Sequence, residues 1–359
     1  MLVAQFHRVK KAGWRAVAHR GGRGNENENS GNGNSLAEPA VYQVLERLHS
    51  MHDAVAIIGS GARFPGAVDH VEFRRMISAG EVHTSPVPAQ RWDHSQVHST
   101  NPRQTDKTAA QAGAFIENIE LFAPDFFGVT PKRARLMDPQ QRMMLEISRQ
   151  ALEDAGYARR VLAGGRTGVY VGASSQDHRI WLSGAVHGPL NLAGHSGVAA
   201  DLKSEEQASL YAGLPAMSAY TITGAQLNMI AANVSQAFDF HGPSFTVDTA
   251  CSSALTALHE AVLHLRAGVV DAALVGGVYA LLDPTLMVCF SRVGALSSTD
   301  RCAPFQTDAN GFVLGEGAGV VVLKRLYDAQ RDGDRVIAVI RGVAMNNDGR
   351  GQGPLTPSA

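Results

Sequence analysis

From Val247 to Gly268 the chain reads VDTACSSALTALHEAVLHLRAG, a β-type run that stops at Cys251 and passes at once into an amphipathic helix. Leu255, Leu258, Val262 and Leu265 keep the spacing of one helical face, and Gly268 supplies a terminating residue. This succession of strand, turn and helix puts Cys251 at or near the helix N-terminus. Unpaired backbone N–H groups and the helix dipole favour a thiolate there, and the same N–H groups can supply part of an oxyanion hole. The competing reading is a small buried residue, the usual fate of a free cysteine. Spacing alone leaves both readings open. His259 and His264 follow more than a turn along the same helix, so they are expected to make packing or surface contacts rather than serve Cys251 as a base. Cys289 and Cys302 lie in a loop-like region between Leu282 and Phe312 and are read as ordinary thiols.

Outward from this segment, short β-branched runs alternate with helical ones. The runs are AVAIIG (Ala54 to Gly59), TGVYVG (Thr167 to Gly172), SFTVDT (Ser244 to Thr249), DAALVGGV (Asp271 to Val278), GVVVLKRL (Gly319 to Leu326) and RVIAVIRGV (Arg335 to Val343). Such alternation predicts an α/β fold around a layered, largely buried sheet. The clearest helix runs from Asp138 to Ala155, with Asp138 as N-cap, Pro139 at the first helical position and Gly156 as terminator. Its Met144, Ile147 and Ala151 face one side. GSGARFPG, Gly59 to Gly66, imitates a dinucleotide-binding turn, but its glycine spacing is wrong and Pro65 disfavours helix at Phe64, so a structural turn is expected. GEGAG, Gly315 to Gly319, reads as a tight turn or a close backbone approach. There is no Walker A sequence, and no cofactor or metal site is predicted.

The 359 residues suffice for two domains, or for one large fold of two layered halves, at about 150 residues per domain. Hydrophobic residues make up 45% and charged residues 18%, which argues against pervasive disorder and against a membrane bundle. A net charge of −1 gives no basic surplus for nucleic acid or anionic lipid. The longest apolar stretch, around Ala272 to Leu282, falls short of the roughly 20 residues a bilayer requires. Residues Met1 to Arg20 lack the continuous apolar run of a secretory signal. Three cysteines without a CxxC pair support neither a disulfide framework nor structural zinc, and a cytoplasmic location is expected. Gly21 to Ser35 contains no aliphatic or aromatic residue and reads as a flexible linker. After it, Val41, Val44, Leu45 and Leu48 recur at helical spacing.

Several segments, taken in order, resemble the β-ketoacyl synthase domains of modular (type I) polyketide and fatty-acid synthases. They are AVAIIGSGARFPGA, FAPDFFGVTPKRARLMDPQQRMMLE (Phe122 to Glu146), LEDAGY, TGVYVG, GPSFTVDTACSSALTALH and RCAPFQTDANGFVLGEGAGVVVLKRL. The resemblance runs from about Asp53 to the end. It implies a thiolase-like fold with α-β-α-β-α layers and a homodimer. It also implies that Cys251 is the nucleophile, taking an acyl group from the phosphopantetheine thioester of an acyl carrier protein. A malonyl-type thioester would then lose carbon dioxide and attack the acyl-enzyme. The implied organisation is a leader over residues 1–52, the N-terminal half of the ketosynthase over 53–326, and the start of its C-terminal half over 327–359.

The family carries two histidines C-terminal to its cysteine, in HGTGT-like and NIGH-like segments, whereas no histidine follows His264 here. The chain is therefore expected to be the N-terminal portion of a larger ketosynthase, dependent on the missing half or a complementary chain and exposing apolar faces without it. The span Ser183 to Ala219, longer than the family pattern, reads as a surface loop or an interface insertion. Two other readings compete: a coenzyme A-dependent thiolase-fold acyltransferase, and a non-catalytic scaffold with a vestigial cysteine.

Overall fold

The computed structural model describes residues 54–350 apart from 102, 159–160 and 183–216. The expected leader and its amphipathic segment lie outside the described residues, as does nearly all of the 183–219 span. The main sheet has six strands: β1 (Val55–Arg63), β4 (Thr167–Gly172), β5 (Ser244–Val247), β6 (Ala272–Tyr279), β7 (Gly317–Arg325) and β8 (Ala338–Ile340). Two short strands, β2 (Ser85–Pro86) and β3 (Ala112–Gly113), pair separately. The helices of seven residues or more are α1 (His70–Ala79), α2 (Pro139–Asp154), α3 (Asn228–Phe238), α4 (Ser253–Arg266), α5 (Thr285–Val293) and α6 (Leu326–Asp332).

Strand order in the main sheet is β5-β4-β6-β7-β1-β8. β4 runs parallel to both β5 and β6, while β7 is antiparallel to β6 and β1, and β8 is antiparallel to β1. Alternation along each strand sends side chains to two cores. Ile58, Val169, Val171, Leu274, Val320 and Val322 meet α2 and α3 on one face. Val55, Tyr170, Ala273, Val275 and Leu323 meet α4 on the other. The described residues thus form an α-β-α stack, three of the five layers that the resemblance implies.

Helix α2 behaves as its sequence dictates. Asp138 accepts the Gln140 N–H at 2.8 Å, Pro139 opens the helix, and Gly156 leaves it at φ 79°. Met144, Leu145, Ile147 and Leu152 are almost fully buried, each contributing about 1.5–3 kcal/mol.

Three expectations need correction. Gly59 to Arg63 continues strand β1 instead of turning, and the reversal is confined to Phe64–Ala67. The glycine is there because α2 crosses so closely that a Cβ on Gly59 would collide with the Ala151 carbonyl and lie 2.7 Å from the Ala155 nitrogen. In GEGAG, residues Gly317 to Gly319 are likewise strand and not a turn; a Cβ on Gly317 would lie 2.5 Å from the Phe64 ring, whereas Gly319 has no neighbour nearer than 3.9 Å. The run Arg335 to Val343 yields only the edge strand Ala338–Ile340, whose Ala338 and Val339 are exposed. An edge position without a covering layer removes the packing that would extend it.

The α4 face exposes apolar surface. Leu255 is 71% exposed. Beside the helix an open groove of about 400 Å³ runs over Gly276, Gly277 and Val321 between Leu258 and Phe73.

Candidate active site

Because β4, β5 and β6 are parallel, the segments leaving their C-terminal ends gather at one edge of the sheet. That edge is where open α/β sheets place their ligands. The segment leaving β5 carries Cys251. After Val247 the backbone makes a single 3-10 turn, Ala250–Ser252, and enters α4 at Ser253. Cys251 is exposed on that turn. The sequence places the cysteine at or near the helix N-terminus, and the structure puts it on the 3-10 turn two residues before Ser253.

Short polar side chains hold the turn. Asp248 Oδ1 accepts the Ala250 N–H at 2.9 Å, and Ser253 Oγ donates to the Ala250 carbonyl at 2.6 Å. Ala250 sits between them at φ 54°, a left-handed conformation that costs a non-glycine residue about 1–3 kcal/mol unless its surroundings impose it. None of these bonds uses the Cys251 N–H. Among the described residues that N–H has no acceptor, so it can donate to an anionic oxygen placed beside it.

The seat of α4 depends on Gly172, the last residue of β4. A Cβ there would strike the Ala254 nitrogen and lie 2.7 Å from the Ala254 Cα. Backbone cannot yield as a side-chain tip does, so Gly172→Val is expected to destabilise the fold by about 2–3 kcal/mol. Gly342→Ala, with open space around it, is expected to stay within about 0.5 kcal/mol. Urea titrations of the two variants check this, and equal midpoints would refute the close approach.

Other groups reach the same edge without having been singled out in the sequence. Asp177 follows β4, Tyr279 ends β6 and Glu316 precedes β7. Asp177 Oδ2 accepts the Leu282 N–H at 3.0 Å, and Glu316 Oε1 accepts the Leu281 N–H at 2.9 Å. Two buried carboxylates from separate segments therefore grip successive amides of the loop leaving β6. Burial pushes the Asp177 carboxyl up, and the neighbouring Asp283 charge adds to it. Burial likewise pushes the Tyr279 hydroxyl far up, and that hydroxyl has no hydrogen-bond partner among the described residues. His178, whose Nε2 lies 3.0 Å from the Leu136 carbonyl, is pushed down by burial. The strand pattern alone could not reveal this set, because the parallel β4–β6 pairing and the antiparallel β6–β7 pairing together bring these segments to one edge.

The remaining sequence candidates fall as follows. His264 Nδ1 lies 2.8 Å from the hydroxyl of buried Tyr170, and His259 lies beside Glu260, so both make structural contacts as expected. Burial, with Glu260 adding to it, pushes Tyr170 to about 12. Cys289 is not in a loop: it lies within α5, where Met287 anchors the helix in a third small core. Cys302 is in a loop and accepts the Val313 N–H at 3.1 Å. Among the described residues no helix is long and apolar enough to cross a membrane.

The family model for the N-terminal domain of β-ketoacyl synthases matches residues 52–329. The chain belongs to the β-ketoacyl synthase family. This ketosynthase domain is 40% identical over 308 residues to a phenolphthiocerol/phthiocerol polyketide synthase component of Mycobacterium tuberculosis, covering 86% of this chain and 15% of that protein. It is 40% identical over 325 residues to the phthioceranic/hydroxyphthioceranic acid synthase of Mycobacterium bovis, covering 90% of this chain and 14% of that one. Among solved structures, the oxazolomycin ketosynthase domain of Streptomyces albus superposes with a TM-score of 0.71 at 34% identity. That match covers 84% of this chain and 47% of the other. The ketosynthase from module 6 of the bacillaene synthase of Bacillus subtilis gives a TM-score of 0.70 at 32% identity, covering 85% and 46%. The ketosynthase domain described here thus spans a small part of the curated synthases it matches and just under half of each of these solved chains.

Proposed function

We propose that this chain is the cysteine-bearing half of a polyketide-type β-ketoacyl synthase, and that Cys251 is its acyl-accepting nucleophile. The observation that carries the reading is an exposed cysteine on the turn into α4, at the edge where β4, β5 and β6 end. Cys251 Sγ attacks the carbonyl of an acyl thioester held on the phosphopantetheine of an acyl carrier protein. The tetrahedral oxyanion is stabilised by donors that include the Cys251 N–H, and its collapse expels the pantetheine thiol and leaves acyl-S-Cys251. Splitting the transfer this way exchanges one thioester for another, a step suited to a soft sulfur nucleophile.

Condensation is the second half-reaction. A malonyl-type thioester loses carbon dioxide, its α-carbon bonds to the acyl carbonyl carbon, and the Cys251 sulfur leaves. In this family two histidines assist that step, and no histidine follows His264. The proposal assigns residues 53–326 to the N-terminal half and 327–359 to the start of the second, with 1–52 as leader. The assembled enzyme is a cytoplasmic homodimer served by a carrier protein and requiring no bound cofactor.

The division of labour has a direct test. With malonyl thioester, the acylated chain alone is expected to release no carbon dioxide above background. Supplying a ketosynthase second half that carries both histidines is expected to restore release, by the roughly 10²- to 10⁴-fold that positioned acid–base groups contribute. Release by the unaccompanied chain would overturn the division, and no product in either case would favour a scaffold role.

A further inference from the structure

The hydroxyl groups around the Cys251 turn form a chain whose direction is fixed by its far end. Thr256 Oγ1 lies 3.6 Å from Met345 Sδ, and a thioether sulfur can only accept. Thr256 therefore spends its single proton on Met345, and its oxygen must accept from Thr249 Oγ1, 2.9 Å away. Thr249 Oγ1 in turn accepts from Ser252 Oγ at 2.9 Å, the same hydroxyl that also reaches the Thr249 carbonyl at 2.8 Å. The Thr249 N–H donates to Ser253 Oγ at 2.9 Å. Thr249, two residues before Cys251, thus ties Ser252 and Ser253, the two residues after it, to Thr256 in α4, and Thr256 extends the link to Met345 in the segment that follows β8.

We infer that Thr249 and Thr256 are positioning residues for Cys251, an inference that rests on the nucleophile reading of that residue. The left-handed Ala250 gives the turn a conformation that local preference opposes, so the turn stays in place only while its neighbours hold it. Thr249 contributes through its backbone and its hydroxyl alike. Removing the hydroxyl leaves Ser252 Oγ with only the Thr249 carbonyl and leaves Thr256 without its donor. The sulfur and the Cys251 N–H then lose their fixed relation to the start of α4. Thr249 is exposed, so an isosteric valine fits without disturbing a core.

The test is competitive labelling of the whole chain with iodoacetamide, read by peptide mass mapping, with exposed Cys289 and Cys302 as internal references. Wild type is expected to label at Cys251 first. In Thr249→Val the ratio of Cys251 to Cys289 labelling is expected to fall roughly fivefold, the equivalent of one net hydrogen bond. Thr249→Ser is expected to restore it, and Thr256→Val to lower it by a smaller factor. Circular dichroism at the labelling temperature keeps the comparison to folded protein. An unchanged ratio in Thr249→Val, or a wild type without preference for Cys251, would overturn the inference. Acyl-thioester adducts measured on the same samples separate the two readings. An adduct on Cys251 with labelling indifferent to Thr249 sinks the positioning role alone. Thr249-dependent labelling without any adduct sinks acyl transfer and leaves the positioning role standing.

Discussion

Glu316→Ala is expected to destabilise the chain by about 3–5 kcal/mol, a large share of the roughly 5–15 kcal/mol that keeps a domain folded. The Glu316 side chain is fully enclosed, and each of its acceptances comes from a different part of the sequence. Its Oε2 takes the Arg91 guanidinium at 2.8 Å and the Ile116 N–H at 2.7 Å, while Oε1 takes the Leu281 N–H. Burial pushes this carboxyl up, and Arg91 with the two amides opposes that push. Alanine would leave a nearly buried guanidinium and two backbone donors without their acceptor, the costly outcome for buried polar groups. Glu316→Gln keeps one oxygen for these donors and turns an amide NH₂ toward the others, so an intermediate loss is expected. Urea unfolding followed by fluorescence orders the three proteins. Equal stability of Glu316→Ala and wild type would mean that the clamp contributes nothing.

That clamp marks the boundary between what the sequence discloses and what it hides. Helix α2 is readable end to end, because Asp138, Pro139 and Gly156 act through local geometry and Met144, Ile147 and Ala151 repeat at helical spacing. The Cys251 turn is readable for a similar reason: a strand period gives way to a helix period within a few residues. Glycines mislead where they serve packing. Gly59 has the look of a turn residue, yet it lies inside a strand because a helix from much later in the chain crosses over it. Glu316 and Asp177 carry no local signal at all. Their roles depend on amides at Leu281 and Leu282 that only the sheet order brings within reach. Cys289 reads as loop because Thr285–Val293 is short and only Met287 within it is fully buried, which leaves a weak helical pattern. The exposure of Leu255 carries no local signal, since an exposed leucine on α4 has the same spacing as a buried one.

The central claim is that Cys251 accepts an acyl group, and the most direct measurement is mass spectrometry of the purified chain after incubation with an acyl-pantetheine thioester. One acyl group per chain is expected, mapped to the peptide containing Cys251 and lost completely in Cys251→Ala, with Cys289 and Cys302 unmodified. An adduct that persists in Cys251→Ala, or folded wild-type protein that takes up no acyl group, would contradict the account.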